Sequence, residues 1–196
     1  ALLLTGAYPN KEAAMAYFKE LTESTAQEAL LLQKLSKLEG FLPYEGWELA
    51  PAPNSDGYRL YLLGTYKPTL ARYLKRNPMT HLAAINLGLD LCAALSVCRR
   101  MGYLYVDLKP ENIFLSGDRE YRIGDLGFVA LDSLKYASLP NRYLSVCTAP
   151  EITDAYSSLN TTLDTYAVGL ILYQVYNNGE LPEFPKPGEL LPAPAY

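Results

Sequence analysis

An α+β fold in two portions is what this 196-residue chain predicts: a strand–helix–strand–strand set over residues 1–66, then a mainly helical portion over 67–196. Three observations predict it. A helical pattern of apolar residues runs from about Lys11 to Leu38. Two strand-like segments follow, Phe41 to Leu49 and Tyr58 to Tyr66, on either side of the breaker-rich Pro51-Ala52-Pro53-Asn54-Ser55-Asp56-Gly57. Beyond Lys67-Pro68-Thr69 the longer apolar patterns have helical period, and Asp164 to Tyr176 is apolar almost all round.

Ala1-Leu2-Leu3-Leu4 predicts the end of a strand entering a turn at Gly6-Ala7-Tyr8-Pro9-Asn10. In the long helix Leu30, Leu31, Leu35 and Leu38 lie on overlapping faces, and Gly40 supplies the stop. Thr69 to Lys75 and Thr80 to Met101 are the next helices. The second of these is expected to bury Ile85, Leu89, Cys92 and Leu95, with His81 a further candidate, and Gly102 closes it. Ile113-Phe114-Leu115 and Tyr121-Arg122-Ile123 predict a hairpin around Ser116-Gly117-Asp118. A helix as apolar as Asp164–Tyr176 belongs at the centre of its lobe.

Composition narrows the function. With 49% hydrophobic residues the chain has ample material for a core, and a net charge of −4 gives no general attraction to nucleic acid. Cys92, Cys98 and Cys147 lack metal-ligand spacing, and their odd, small number suggests a reducing, cytoplasmic setting. Cys92 and Cys98 fit the helical pattern as small buried residues. His81 is the single histidine, which leaves Ser-His-Asp and Cys-His sites unsupported and excludes a histidine-rich zinc site. No uninterrupted apolar run reaches membrane-spanning length, no signal peptide is evident and no internal repeats occur.

The chemistry-bearing stretch is Asp107-Leu108-Lys109-Pro110-Glu111-Asn112, followed by Asp125-Leu126-Gly127 and Ala149-Pro150-Glu151. Phosphoryl transfer needs positioning and charge neutralisation more than covalent chemistry. Asp107 can orient a hydroxyl and accept its proton, and Lys109 can neutralise the moving phosphoryl group. Asn112 and Asp125 are hard oxygen donors of the kind Mg²⁺ takes. The hairpin from Ile113 to Ile123 returns the chain, bringing Asp125 back near Asn112. Gly127 supplies freedom for a sharp turn beside a metal.

These motifs, in this order, resemble those of the eukaryotic-like serine/threonine protein kinase family. The resemblance implies a bilobal kinase-like fold, with a partial N-lobe over 1–66 and a partial C-lobe over 67–196. It implies ATP and Mg²⁺ as cofactors and a protein as substrate. Glu28 corresponds to the helix glutamate that pairs with the nucleotide-binding lysine. Gly64, Thr65 and Tyr66 correspond to the rim of the adenine pocket, with Gly64 at its rear. Asp164 matches the aspartate that braces the catalytic loop, although a plain helix N-cap suits its local sequence equally well. No nucleic acid and no membrane segment are expected, while a dimer or a regulatory partner is compatible. The expected setting is cytoplasmic, as a free protein or as the cytoplasmic part of a larger or membrane-tethered one.

Departures from the family pattern carry expectations of their own. No glycine-rich loop precedes Ala1, and Ala1-Leu2-Leu3 puts leucine where the phosphate-pairing lysine belongs. Tyr105-Val106 replaces the usual His-Arg, which removes the cation that holds a phosphorylated activation loop. Leu144 replaces a threonine that touches the catalytic loop. The later helices of the large lobe do not follow Tyr176, so a truncated or partial domain is expected. These departures keep a pseudokinase, acting as a nucleotide-binding or protein-interaction module, as the alternative to an active enzyme. A small-molecule kinase of the same fold is weaker, because Ala-Pro-Glu shapes a groove for protein substrates.

Overall fold

The computed structural model describes residues 9–51, 58–117, 120–125, 128–130, 147, 149 and 162–182. The expected strand at Ala1–Leu4 lies outside them, as do Leu126, Gly127, Leu144 and Glu151. The chain forms two compact units, Ala1–Lys37 with Pro43–Thr65, and Leu38–Leu42 with Tyr66–Tyr196.

The first unit holds α1 (Lys11–Leu35), β1 (Gly46–Pro51) and β2 (Tyr58–Leu63). Asn10 caps α1, its side-chain oxygen accepting from the Ala13 amide at 2.7 Å, a bond worth about 1 kcal/mol. The helix stops at Leu35, short of the expected Leu38. Ser36 ends it, donating from its hydroxyl to the Gln33 carbonyl at 2.9 Å and from its amide to Leu32. The buried stripe is Ala29, Leu32 and Leu35, whereas Leu30 and Leu38 are exposed. A run of consecutive leucines points in every direction, so hydrophobicity alone does not choose the face.

Strands β1 and β2 pair antiparallel from Gly46↔Leu63 to Pro51↔Tyr58. The strand expected from Phe41 therefore begins five residues later. Pro43 has no amide to give a ladder. Phe41 instead makes an isolated parallel bridge with Ile123 inside the second unit, where Leu42 donates to the Ile123 carbonyl at 2.8 Å. Gly40, at φ +89°, makes this crossing possible, since a Cβ there would stand 2.8 Å from the Ala94 Cβ. Strand β2 likewise ends at Leu63, leaving Gly64, Thr65 and Tyr66 exposed beyond the ladder.

The second unit opens with α2 (Leu70–Leu74) and α3 (His81–Arg100). Both begin at threonine caps: Thr69 accepts from the Arg72 amide and Thr80 from the Ala83 amide. Gly102, at φ +82°, follows the end of α3 as expected. The buried face of α3 is Ala84, Leu87, Gly88, Leu91, Ala94, Leu95 and Cys98. Of the residues expected there only Leu95 is buried. Ile85 is 44% and Leu89 64% exposed, and Cys92 and His81 are exposed as well. Apolar residues line both sides of α3, and the choice falls on the small residues. Gly88 faces Leu172 so closely that a Cβ would lie 3.4 Å from its Cδ1. The Nδ1 of His81 sits 2.7 Å from the Tyr176 hydroxyl.

Helix α4 (Thr162–Tyr176) buries Leu163, Asp164, Ala167, Val168, Leu170, Ile171 and Val175. Helix α3 packs on it and on the strands β3 (Tyr103–Tyr105) and β5 (Glu120–Ile123). By length and composition α3 is the one described helix apolar enough to cross a membrane. Asp90 interrupts it, and its carboxylate accepts from the Tyr121 amide at 2.9 Å, tying α3 to β5 as a helix of this unit's core. Two further strands of the unit are described. β4 (Ile113–Gly117) pairs antiparallel with β5, and β3 with β6 (Phe128–Ala130).

The two faces of α3 make separate predictions. Leu91→Ala removes a fully buried side chain and is expected to cost about 2–5 kcal/mol in urea unfolding. Leu89→Ala on the exposed face is expected to change stability by no more than about 0.5 kcal/mol.

Candidate active site

Two short ladders position the candidate residues. Tyr105 pairs with Phe128 at the end of one, and Ile113 pairs with Ile123 at the start of the other. Asn112 and Asp125 therefore both lie within two residues of the Ile113–Ile123 pair, which brings them to the same end of that ladder. The second ladder extends by one more bond, from the Gly124 amide to the Asn112 carbonyl at 3.0 Å.

Within the first segment the chain turns on Pro110, the first residue of a single 3-10 turn (Pro110–Asn112). The missing N–H of proline costs nothing at that position, and its fixed φ suits the turn. The turn closes with the Asn112 amide donating to Lys109 at 2.9 Å. It folds Lys109 and Asn112 back onto Asp107. The Lys109 ammonium donates to both carboxylate oxygens, at 2.9 Å to Oδ1 and 2.7 Å to Oδ2. The Asn112 amide donates at 3.0 Å to Oδ2 and at 3.0 Å to the Asp107 carbonyl. Asp107 and Asn112 are buried, so these bonds replace lost solvation.

Both amide protons of Asn112 are turned to Asp107, so its Oδ1 faces away as an acceptor. Asp125 is exposed and stands at φ +71°, in the left-handed region that aspartate tolerates better than most residues. One amide oxygen and one carboxylate are a small, hard donor set. They suit Mg²⁺, which enters with phosphate oxygens and water and does not need a complete protein cage. No cluster of three or more His, Cys, Asp or Glu side chains able to hold a metal occurs among the described residues.

Tyr105 was legible in the sequence only as a departure from histidine, and the structure gives it two bonds. Its amide donates to Asp164 Oδ2 at 3.2 Å, and its hydroxyl donates to the Gly124 carbonyl at 2.6 Å. The signal available earlier was its chemistry: an aromatic residue that must bury its ring also carries a hydroxyl in search of a partner. Asp164 is the third residue of α4 and bonds across to Tyr105 at the end of β3, so it braces the strand that leads to Asp107 and is no N-cap. It is only 6% exposed, and its Oδ1 has no hydrogen-bond partner among the described residues. Burial pushes its carboxyl up to about 7, with the Tyr105 amide opposing. Val106 is buried. Cys147 is also buried, and its thiol is pushed up to about 11 by burial first and then by Glu111, with Lys109 opposing. It therefore remains a thiol at neutral pH.

The nucleotide-site candidates divide between the two units. Glu28 lies within α1, in the first unit together with Gly64 and Thr65, while Tyr66 begins the main segment of the second unit. The Tyr66 hydroxyl accepts from Arg72. The catalytic segment, Asn112 and Asp125 all lie in the second unit.

Comparison with known proteins agrees with this architecture. Residues 17–186 match the protein kinase domain family. The chain therefore belongs to the protein kinase family. It is similar to a probable serine/threonine-protein kinase of Saccharomyces cerevisiae, 27% identical over 184 residues, covering 90% of this chain and 16% of that protein. A serine/threonine-protein kinase of human herpesvirus 1 is 29% identical over 175 residues, covering 84% of this chain and 35% of that protein. A probable serine/threonine-protein kinase of Dictyostelium discoideum is 33% identical over 101 residues, covering 50% of this chain and 11% of that protein. The chain thus spans a minor part of each of these relatives.

The buried Asp164 gives a pH prediction. A carboxyl raised from 3.8 to about 7 on folding binds its proton more tightly in the folded state. Its contribution to stability is present in full below the unfolded value and is lost as pH rises through about 7. Asp164→Asn keeps an oxygen for the Tyr105 amide and cannot ionise. The melting temperature of the wild type relative to this variant is expected to fall between about pH 4 and pH 8, with Cys98, the thiol in its field, still protonated throughout. A constant difference would remove Asp164 as the titrating group.

Proposed function

We propose that this chain carries the catalytic segment of an ATP-dependent protein serine/threonine kinase acting in the cytoplasm. The observation that carries the proposal is the set of bonds converging on Asp107: Lys109 and Asn112 both donate to its carboxylate. Asp107 is thereby fixed as an acceptor for a substrate hydroxyl. As that oxygen bonds to the γ-phosphorus of ATP, its proton passes to the Asp107 carboxylate and the bond from the γ-phosphorus to the β–γ bridging oxygen breaks, releasing ADP. Lys109, adjacent to that carboxylate, neutralises charge on the transferring group. Asn112 and Asp125 would hold Mg²⁺, which when bound neutralises the phosphate oxygens. The side-chain hydroxyl of a protein serine or threonine is the proposed acceptor, in line with the names of the relatives.

A second proposal, a pseudokinase, rests on Val106. An apolar, buried residue stands where the family pattern has arginine, so that position offers no cation beside Asp107. Leu3, in the place of the phosphate-pairing lysine, points the same way. Transfer assays separate the two. Asp107→Asn is expected to lower phosphoryl transfer by about 10²–10⁴-fold while nucleotide binding persists. A wild-type protein that binds nucleotide and transfers nothing, to itself or to any protein, selects the pseudokinase.

The metal assignment has its own test. Nucleotide titration with and without Mg²⁺ is expected to show a metal-dependent gain in the wild type that Asp125→Ala loses. Unchanged binding in the variant would remove Asp125 from the site.

A further inference from the structure

Apart from the catalytic segment, the second unit holds an open cavity of about 340 Å³. One side of it is α3, where Asp90, Ala93, Val97 and Arg100 recur at helical spacing. Glu39 and Gly40 form a second side, and Glu120, Tyr121 and Arg122 of β5 a third. Glu120 pairs with Gly117, at the end of its ladder opposite the Ile113–Ile123 pair. Charge is divided along this cavity. The carboxylates of Glu39 and Glu120 act on that of Asp90 at one end. Asp90 Oδ2 accepts from the Tyr121 amide at 2.9 Å, and its Oδ1 has no hydrogen-bond partner among the described residues. Arg122 is held by the Glu120 carboxylate at 3.4 Å and the Phe41 carbonyl at 3.5 Å, so it offsets one of the three acids. Burial pushes the Asp90 carboxyl up, the Tyr121 amide opposes, and Glu120 and Glu39 push it further. A cation entering this end relieves that repulsion. Arg100 stands ten residues beyond Asp90, about 15 Å along the helix. It forms no ion pair among the described residues.

We propose that this cavity docks an extended peptide segment of a partner protein, with a lysine or arginine at the Glu39, Asp90 and Glu120 end and an acidic residue at Arg100. Charge complementarity selects that occupant. An extended chain rises about 3.3 Å per residue, so a basic and an acidic residue four positions apart span about 13 Å. Their side chains cover the remaining distance between the two ends. A metal ion fits less well, because Arg122 stands among the carboxylates and these do not converge as a metal-binding cluster. Nucleic acid fits less well too, since its phosphates would meet three carboxylates. The docking does not draw on the residues around Asp107, so it serves an active kinase and a pseudokinase alike.

Two fluorescein-labelled peptides, Arg-Thr-Val-Thr-Glu and Glu-Thr-Val-Thr-Arg, present the charges in the two chain directions. Each is titrated into the full-length protein and followed by fluorescence anisotropy. At least one is expected to bind with a Kd below about 1 mM, and to weaken about 10-fold when its arginine and glutamate are replaced by glutamine. Glu39→Lys and Arg100→Glu alter exposed side chains, and melting curves check that both variants are folded. Each is expected to weaken the same peptide about 10-fold. Arg100→Glu is also expected to recover binding when lysine takes the place of the peptide's glutamate. A loosened fold would bind neither peptide, so that recovery reports a direct contact. No binding of either peptide at that concentration would overturn the proposal. So would binding that both variants leave unchanged, or a loss in Arg100→Glu that the lysine peptide does not recover.

Discussion

The bond from the Tyr105 amide to the buried Asp164 carboxylate is the constraint on which the site depends. It crosses 59 positions of sequence and joins the central helix of the second unit to the strand that delivers the catalytic segment. A carboxyl with one oxygen unpaired and almost no exposure is costly to bury. That cost is offset by the packing of the apolar α4 around it and by the hydrogen bond its other oxygen accepts from Tyr105. Without it the backbone pairing described for β3 would be its ladder with β6, and three-residue ladders are weak by themselves.

From Tyr105 the order spreads in two directions. Along the chain it reaches Asp107, whose carboxylate gathers Lys109 and Asn112 within hydrogen-bonding distance. Through the ring it reaches Gly124 and so Asp125. Asn112 closes the loop by accepting from Gly124 through its carbonyl while donating to Asp107 through its side chain. Polar groups in such a closed network reinforce one another in a low dielectric, and each would be expensive to leave unpaired. Membership of the protein kinase family, established by the match over residues 17–186, gives this network its chemical context.

Much of the catalytic segment was legible beforehand because it is local. A proline at the start of a tight turn, a lysine two residues from an aspartate and an asparagine five residues away find each other through nearly any compact loop. The hairpin from Ile113 to Ile123 was legible for the same reason, its strands being joined by a short turn. Threonines at the starts of α2 and α3 act on amides three residues ahead, and they too were readable. Tyr105 was not. Its partners are an aspartate on a distant helix and a carbonyl 19 residues on, and nothing within its own segment names either.

The sequence by itself determined the kinship, the α+β fold class and the helices of the second portion. These follow from short-range pattern and from chemistry that few residue types can supply. Tertiary structure decided which face of α3 is inside and where Phe41 belongs. In α3 the apolar residues on both sides are nearly equivalent as solutes, and close approach at Gly88 and Ala94 selects between them. At Phe41 a bridge to Ile123 outcompetes a strand that Pro43 cannot extend. Packing between distant segments settled each of these, since local hydrophobicity was the same for either outcome.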